Sequence, residues 1–489
     1  MSNNKIIMAE INTWVWLKDL ERKYARQMTL DRIPPNEWDE FVSMGFNAIW
    51  LMGIWGKSPA GRKISRENAS LYDDYTLSLS DWKRSDLPGS PYCVKEYTVE
   101  PRLGGIGAIE KVRKELRRRG IRLILDFVPN HVAIDHSWVN TNPEYFIQGD
   151  ETDLERYPNE FFKTESGNFA NGRDPFFPPW QDVAQVNAFS PEYRAIVIQE
   201  LRKIGRYCDG VRCDMAMLLL NRIFARTWQS RVGTTPSTEF WEEIIPAVKK
   251  VHPAMLFFAE VYWGLEWDLL QLGFDYCYDK KLYDRLIHEN AGSIRQHLEA
   301  DFKYQEQLMR FIENHDEPRA ASLLSPQKQK AASILTFTLP GAGLVYEGQL
   351  EGRRQKNHVL LGRREQEKIN QDLLEFYKNL LPVAKRIHDN AIWELCKVAG
   401  WSDNTTCDNL LAYTWQNGIC KDLIIVNFSN EQSQGQVMLP WVELRNTDVK
   451  LFYNLEPGYL IRAGLDLKEK GLFVDLPPWG YHFLTAYLK

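Results

Sequence analysis

The chain contains no apolar run near the roughly 18 residues that a membrane-spanning helix needs. Its start, Met-Ser-Asn-Asn-Lys, has no hydrophobic stretch behind a basic one. A soluble, cytoplasmic protein is the expectation. A charge excess of one sign is lacking too, since 60 Lys and Arg stand against 65 Asp and Glu, a formal charge of -5 over 489 residues. That balance offers no surface to a polyanion, so neither nucleic acid nor a membrane is expected as a partner. The seven cysteines (93, 208, 213, 277, 396, 407, 420) are scattered, odd in number and without a CxxC pair. That pattern argues against both a disulfide framework and a zinc site. There is no internal repeat and no low-complexity segment, and nothing in the sequence speaks to oligomeric state.

What is present is an alternation of β-prone apolar runs with helical periodicity. Ile6 to Leu17 reads as a buried strand, Pro34 to Met44 as a helix with proline near its start and Gly45 after it, and Phe46 to Met52 as a second strand. Strand, helix, strand at this spacing implies a parallel sheet. Gly53 to Gly89 shows no period and is expected as a long loop over the site. The basic helix Ile109 to Arg119 leads to a third strand, Ile121 to Phe127, and Val132 to Asn187 is irregular enough to be an inserted subdomain. Further strands are expected at Asp209 to Cys213, Met255 to Glu260, Asp275 to Asp279, Leu308 to Glu313 and Gly343 to Glu347, with a long helical region over Met215 to Lys250. Eight such alternations over residues 1–385 predict an α/β fold, a (β/α)8 TIM barrel with a subdomain at 132–187 inserted after strand three. Short β-runs from 390 to 489 predict a C-terminal all-β domain of the β-sandwich kind.

In such a barrel the polar residues at strand C-termini share one face, and Asp126, Asp214, Glu260 and Asp316 all fall there. Arg212 and Asp214 lie two apart in Gly210-Val-Arg-Cys-Asp214 and project from one side of a strand. As a pentapeptide this is an ordinary ion pair, but in company it changes meaning. A guanidinium keeps a neighbouring carboxylate ionised, as a nucleophile needs. Glu260 follows the apolar Leu256-Phe-Phe-Ala259, which favours a protonated acid. A nucleophile and a proton donor about 5 to 5.5 Å apart are what a retaining glycosidase uses. His131 and His315 can donate hydrogen bonds to sugar hydroxyls, and 17 tryptophans with 21 tyrosines suit a sugar-holding surface.

Four blocks, Asp126-Phe-Val-Pro-Asn-His131, Gly210-Val-Arg-Cys-Asp214, Phe258-Ala-Glu260 and Glu313-Asn-His-Asp316, resemble the four ordered sequence regions of the α-amylase family of glycoside hydrolases. The resemblance runs from about residue 8 to 365. It implies Asp214 as nucleophile, Glu260 as acid/base and Asp316 as the carboxylate that stabilises the distorted sugar and the transition state. It further implies His131, Arg212 and His315 as sugar-binding or orienting residues, Asp126 as a supporting acid and Tyr92 as the aromatic platform under the sugar at the cleavage point. The activity so implied is retaining hydrolysis of α-glucosidic bonds in glucans or maltooligosaccharides. Transfer to a sugar hydroxyl is the alternative, and a catalytically silent binding subunit a remoter one. The chemistry itself needs no cofactor, while Asn130 matches a residue that often ligates a structural calcium. One departure stands out: many members carry Lys-His three and four residues after the nucleophile, where this chain has Met217 and Leu218. Short oligosaccharides, rather than polymeric starch, are expected from that, with Trp263 and Trp267 as other candidates to hold an acceptor sugar.

Overall fold

The structure, a computed structural model, describes residues 5–388 and 391–488. The first four residues of the chain's start, and the expected beginning of the C-terminal domain at Asn390, fall outside them. Eight parallel strands close into a barrel: β1 (Ile7–Asn12), β2 (Ala48–Met52), β3 (Arg122–Phe127), β4 (Gly210–Cys213), β5 (Leu256–Ala259), β6 (Tyr276–Tyr278), β7 (Leu308–Arg310) and β8 (Ala342–Tyr346). β8 pairs with β1 to shut the ring. Most of these strands are buried throughout, because helices cover the outside and side chains fill the inside. The expected fold class is therefore the observed one.

Several local readings are corrected. The apolar run Ile6 to Leu17 is not one strand, for at Asn12 the chain turns into a helix, Thr13–Tyr24. The Asn12 side chain caps it by accepting from the Val15 N–H. Val15, Trp16, Leu17 and Leu20 then form a buried helical stripe, a spacing that a short apolar run cannot distinguish from a strand. Gly53 to Gly89 is not a bare loop but holds a short strand, Trp55–Lys57, and helices Pro59–Glu67 and Tyr72–Ser78. Tyr75, Leu79 and Leu87 from this segment pack on Leu360 and Leu361, so it is anchored by a small core of its own. The helical region after β4 is broken into a short 3-10 turn, Ala216–Leu219, and helices Asn221–Trp228 and Phe240–Lys249. β7 ends at Arg310, three residues before the expected Glu313.

Between β3 and β4 the chain makes a five-stranded sheet from His131–Ala133, Gln148–Gly149, Phe161–Thr164, Gly167–Gly172 and Trp180–Gln185. The C-terminal part is a six-stranded sheet facing a three-stranded one, and it includes strands at Ile392–Leu395, Val398–Ala399 and Tyr459–Ala463 that sequence reading missed. Alternation explains how it docks. Leu411, Tyr413 and Trp415 join the barrel's core, while Leu410 and Ala412 on the other face join Val437, Leu472 and Val474 between the sheets. Trp415 also donates its indole N–H to the Thr338 carbonyl at 2.8 Å. No helix among the described residues is long and apolar enough to cross a membrane.

Candidate active site

β4 delivers the central pair. A Cβ at Gly210 would stand 2.8 Å from the Leu256 carbonyl oxygen and 2.9 Å from Ile124 Cδ1, so only glycine lets β3, β4 and β5 approach this closely. The register then sets Arg212 opposite Asp126 and Phe258. Main-chain bonding continues one residue past the strand ends, with Asp214 N–H donating to the Phe127 carbonyl (2.9 Å) and Glu260 N–H to that of Cys213 (3.1 Å). Both acids therefore stand on a rigid rim. Met215 follows in the left-handed region, at φ 42°, a conformation that costs a non-glycine residue about 1–3 kcal/mol. Its N–H donates to Glu260 Oε2 at 2.7 Å, and Ala216 N–H donates to the Glu260 carbonyl at 3.0 Å, which ties the two rim positions together.

Arg212 is 1% exposed and organises the acids around it. Its Nη1 donates to Asp214 Oδ1 at 2.5 Å and lies 3.7 Å from Asp126 Oδ1. Nη2 comes within 2.7 Å of Glu260 Oε2 without hydrogen-bond alignment, so that contact is charge proximity alone. The rings of Trp50, Tyr92 and Tyr278 surround the guanidinium at 5.1, 5.2 and 5.9 Å. Burial works against the charge, but the neighbouring acids, Glu260 foremost, hold Arg212 well above its ordinary pKa. Burial pushes the Asp214 carboxyl up, and Arg212 opposes that with charge and hydrogen bond. Glu260 is pushed up by burial to about 7, with Arg212 pulling down and Asp214 pushing up. Arg212 hydrogen-bonds Asp214 and not Glu260, which favours the carboxylate form at Asp214 over that at Glu260. Asp126, pushed up by burial to about 6 against Arg212, accepts from the Gly53 N–H at 3.3 Å.

Asp316 arrives from beyond β7 and leans on His315. His315 Nε2 stands 3.0 Å from Asp316 Oδ2 and 2.7 Å from the Tyr92 hydroxyl, while Nδ1 meets Glu10 Oε1 at 2.5 Å. Burial would lower the imidazole's pKa, yet the charges of Asp316 and Glu10 outweigh it and hold the ring charged, up to about 10. Burial would conversely raise Asp316, and His315 holds it well below the ordinary range although 45% of the side chain is open. Both nitrogens of His315 already have partners, so it orients Asp316 and Tyr92 from beneath. His131 differs, because burial keeps it neutral at about 4. The Asn130 amide nitrogen stands 3.4 Å from its Nδ1.

Asp214, Glu260, Asp316, Tyr92 and His131 all line one cavity of about 690 Å3 at the strands' C-terminal ends. Arg212, His315 and Asp126 lie under its floor. Sequence reasoning missed Glu10, Tyr262 and the wall from His358 to Leu360. Glu10 had a signal, an acid inside the apolar strand Ile7–Asn12, and Tyr262, whose hydroxyl donates to Glu260 Oε1 at 2.9 Å, sits two residues past that acid. The wall from Ile64 to Leu71 belongs to the segment Gly53 to Gly89 that was expected over the site, whereas the wall from His358 to Leu360 had no signal, since only tertiary packing brings it there. Met217 and Leu218 are buried in the barrel's core, and neither lines the cavity. Among the described residues, no lysine or arginine lines it either.

Asn130 lies just outside, at the junction with the inserted sheet. Its Oδ1 and its carbonyl both accept from Gln185 Nε2, and its Nδ2 donates to Gln185 Oε1. No group of three or more His, Cys, Asp or Glu among the described residues is placed to hold a metal. A calcium ion needs six to eight oxygens at 2.3–2.6 Å, and these donors do not fit that demand.

Residues 39–415 match the family model "Alpha amylase, catalytic domain". The chain belongs to the α-amylase family. Among curated relatives it is 24% identical over 405 residues to the α-amylase MalA of Haloarcula japonica, covering 80% of this chain and 51% of that protein. The intracellular maltogenic amylase of Bacillus subtilis is 21% identical over 306 residues, 59% of this chain and 48% of that one. The chain thus spans about half the length of these relatives. Among solved structures, a noncanonic maltogenic α-amylase AmyB from Thermotoga neapolitana superposes with a TM-score of 0.69 at 18% identity, over 100% of both chains. The α-amylase of Geobacillus thermoleovorans, solved with acarbose, gives 0.68 at 19% identity over 99% of this chain and 98% of that one. At such identities these likenesses speak for the fold, which this family member shares from end to end.

Proposed function

We propose that the protein cleaves α-glucosidic bonds of glucans or maltooligosaccharides with retention, through a glycosyl intermediate on Asp214. The observation that carries this reading is Arg212, which hydrogen-bonds one rim carboxylate, Asp214, and not the next, Glu260, whose carboxyl burial raises to about 7. In this reading Asp214 attacks the anomeric carbon, and Glu260 protonates the departing oxygen and then deprotonates the incoming water. Asp316, oriented by His315, faces the sugar and stabilises the positive charge that develops on its ring. Tyr92 stacks beneath it, and His131, on the cavity wall, hydrogen-bonds a hydroxyl. Two displacements at one carbon restore its configuration, so NMR of an α-linked substrate should show the α-anomer first. The β-anomer as initial product would remove the double-displacement reading.

Transfer to a sugar hydroxyl would use the same intermediate. It draws support from the exposed Trp263, beside the cavity-lining Tyr262, which meets Phe176 of the inserted subdomain edge to face at 5.0 Å. A silent binding subunit would have no need of two neighbouring carboxyls held so differently.

That no lysine or arginine lines the cavity among the described residues bears on substrate length. Each charge-assisted hydrogen bond forgone costs about 1.5–3 kcal/mol, roughly tenfold or more in kcat/KM. We expect a higher kcat/KM for maltotriose than for soluble starch. A clear advantage for starch, with early loss of iodine colour, would overturn this.

A further inference from the structure

The junction between barrel and inserted sheet holds Asn130, which matches a residue that often ligates a structural calcium in the family the chain resembles. We infer that in this chain the carboxamide of Gln185 does that work, and that the protein's stability is independent of calcium.

Gln185 is fully buried, Asn130 is 1% exposed, and the two side chains face each other across the junction. Gln185 Nε2 stands among three oxygens, 3.0 Å from the Asn130 carbonyl, 3.1 Å from Asn130 Oδ1 and 3.1 Å from the Val186 carbonyl. Three oxygens converging on one point are half of what a calcium ion would use, but here an amide nitrogen occupies that point. The other end of the amide is also engaged, since Oε1 accepts from Asn130 Nδ2 and from the Arg173 N–H, each at 3.3 Å. Exchanging the amide's nitrogen and oxygen would turn Oε1 toward three acceptors and Nε2 toward two donors, so this bonding fixes the orientation. Among the described residues, no group of three or more His, Cys, Asp or Glu side chains is placed to complete a cation shell. Asp174, next in the chain, is buried and caps its own turn by accepting from the N–H groups of Phe176 (2.6 Å) and Phe177 (3.0 Å). Arg173 adds positive charge nearby, paired with Glu160 at 3.1 Å.

The bridge has a route to the site. Asn130, fixed by Gln185, stands against His131 Nδ1, and His131 lines the cavity. What a bound cation would do by coordination, closing the inserted sheet onto β3 and setting His131, two amides do by hydrogen bonds.

The test begins with metal analysis and thermal unfolding of the whole protein after exhaustive treatment with a chelator. The expected result is no stoichiometric calcium, and a Tm that differs by no more than about 1 °C between excess chelator and millimolar calcium. One calcium per chain surviving gel filtration, or a Tm several degrees lower in chelator and restored by calcium, would overturn the inference. Two variants probe the amide itself. Gln185→Leu should lower Tm equally with and without calcium. Gln185→Glu puts a carboxylate among the three oxygens, so its Tm should fall in chelator and recover in part when calcium is added. If both variants unfold at the wild-type temperature, the amide bridge does not hold the junction and the inference fails. Should either fail to fold, the wild-type measurements decide alone. None of these readouts requires the proposed glycosidase activity.

Discussion

Asp214→Asn should lower turnover on any α-glucoside by about four to six orders of magnitude, the scale seen when a nucleophile is removed from an otherwise intact site. The chain should still fold and bind sugar. Asn is nearly isosteric, and Arg212 keeps its aromatic surround and its proximity to Asp126 and Glu260. What is lost is the anion that attacks carbon, because a carboxamide cannot form the ester intermediate. A second signature separates this from general damage. Asp214 pushes the Glu260 pKa upward, so removing its charge should shift Glu260 toward the ordinary carboxylate range, measurable by infrared titration of the buried carboxyl. Turnover within tenfold of wild type would take Asp214 out of the role. A Glu260 titration left in place by the substitution would deny the electrostatic pairing.

How far the sequence reached can be judged on particular residues. The barrel was legible because each strand is a short apolar run bounded by turn signals, and because the acids fall at the run ends, as Asp126, Asp214 and Glu260 do. Spacing carried the Arg212–Asp214 contact directly, since two residues on one face of a strand meet whatever surrounds them. Contacts across the barrel were not legible. Glu10 reaches His315 over 305 positions, and no local pattern pairs them. The Thr13–Tyr24 helix was hidden by an apolar run that suits either period, and a capping bond from Asn12 decided it. Met217 and Leu218 show a subtler limit. Their distance from Asp214 was read correctly from the chain, but the left-handed turn at Met215 sends both side chains into the core, and neither meets the cavity. Backbone handedness at one residue is nothing a side-chain pattern reports.

Glu260→Gln should divide substrates by their leaving groups. Protonating a glycosidic oxygen contributes about 10²–10⁴ in rate where the leaving group is a sugar, so maltooligosaccharides should lose that much. An aryl glycoside with an acidic phenol departs without help and should lose far less in the step that forms the intermediate. The pH profile supplies the sign. Burial holds the Glu260 carboxyl up at about 7, so the acid is available below that pH and lost as pH rises through it. Wild-type kcat/KM on oligosaccharides should fall along an alkaline limb near 7, and that limb should be missing from the variant acting on the aryl glycoside. Stability follows the same group. A folded pKa raised above the unfolded one contributes stability that is fully present below the unfolded value and lost as pH rises toward 7. The variant, with nothing to titrate there, should show a flatter Tm between pH 5 and pH 8. Equal losses on the two substrate classes, or an alkaline limb that survives the substitution, would mean that another group supplies the proton. Tyr262, which donates to Glu260 Oε1 at 2.9 Å, would then be the next residue to replace, by Phe.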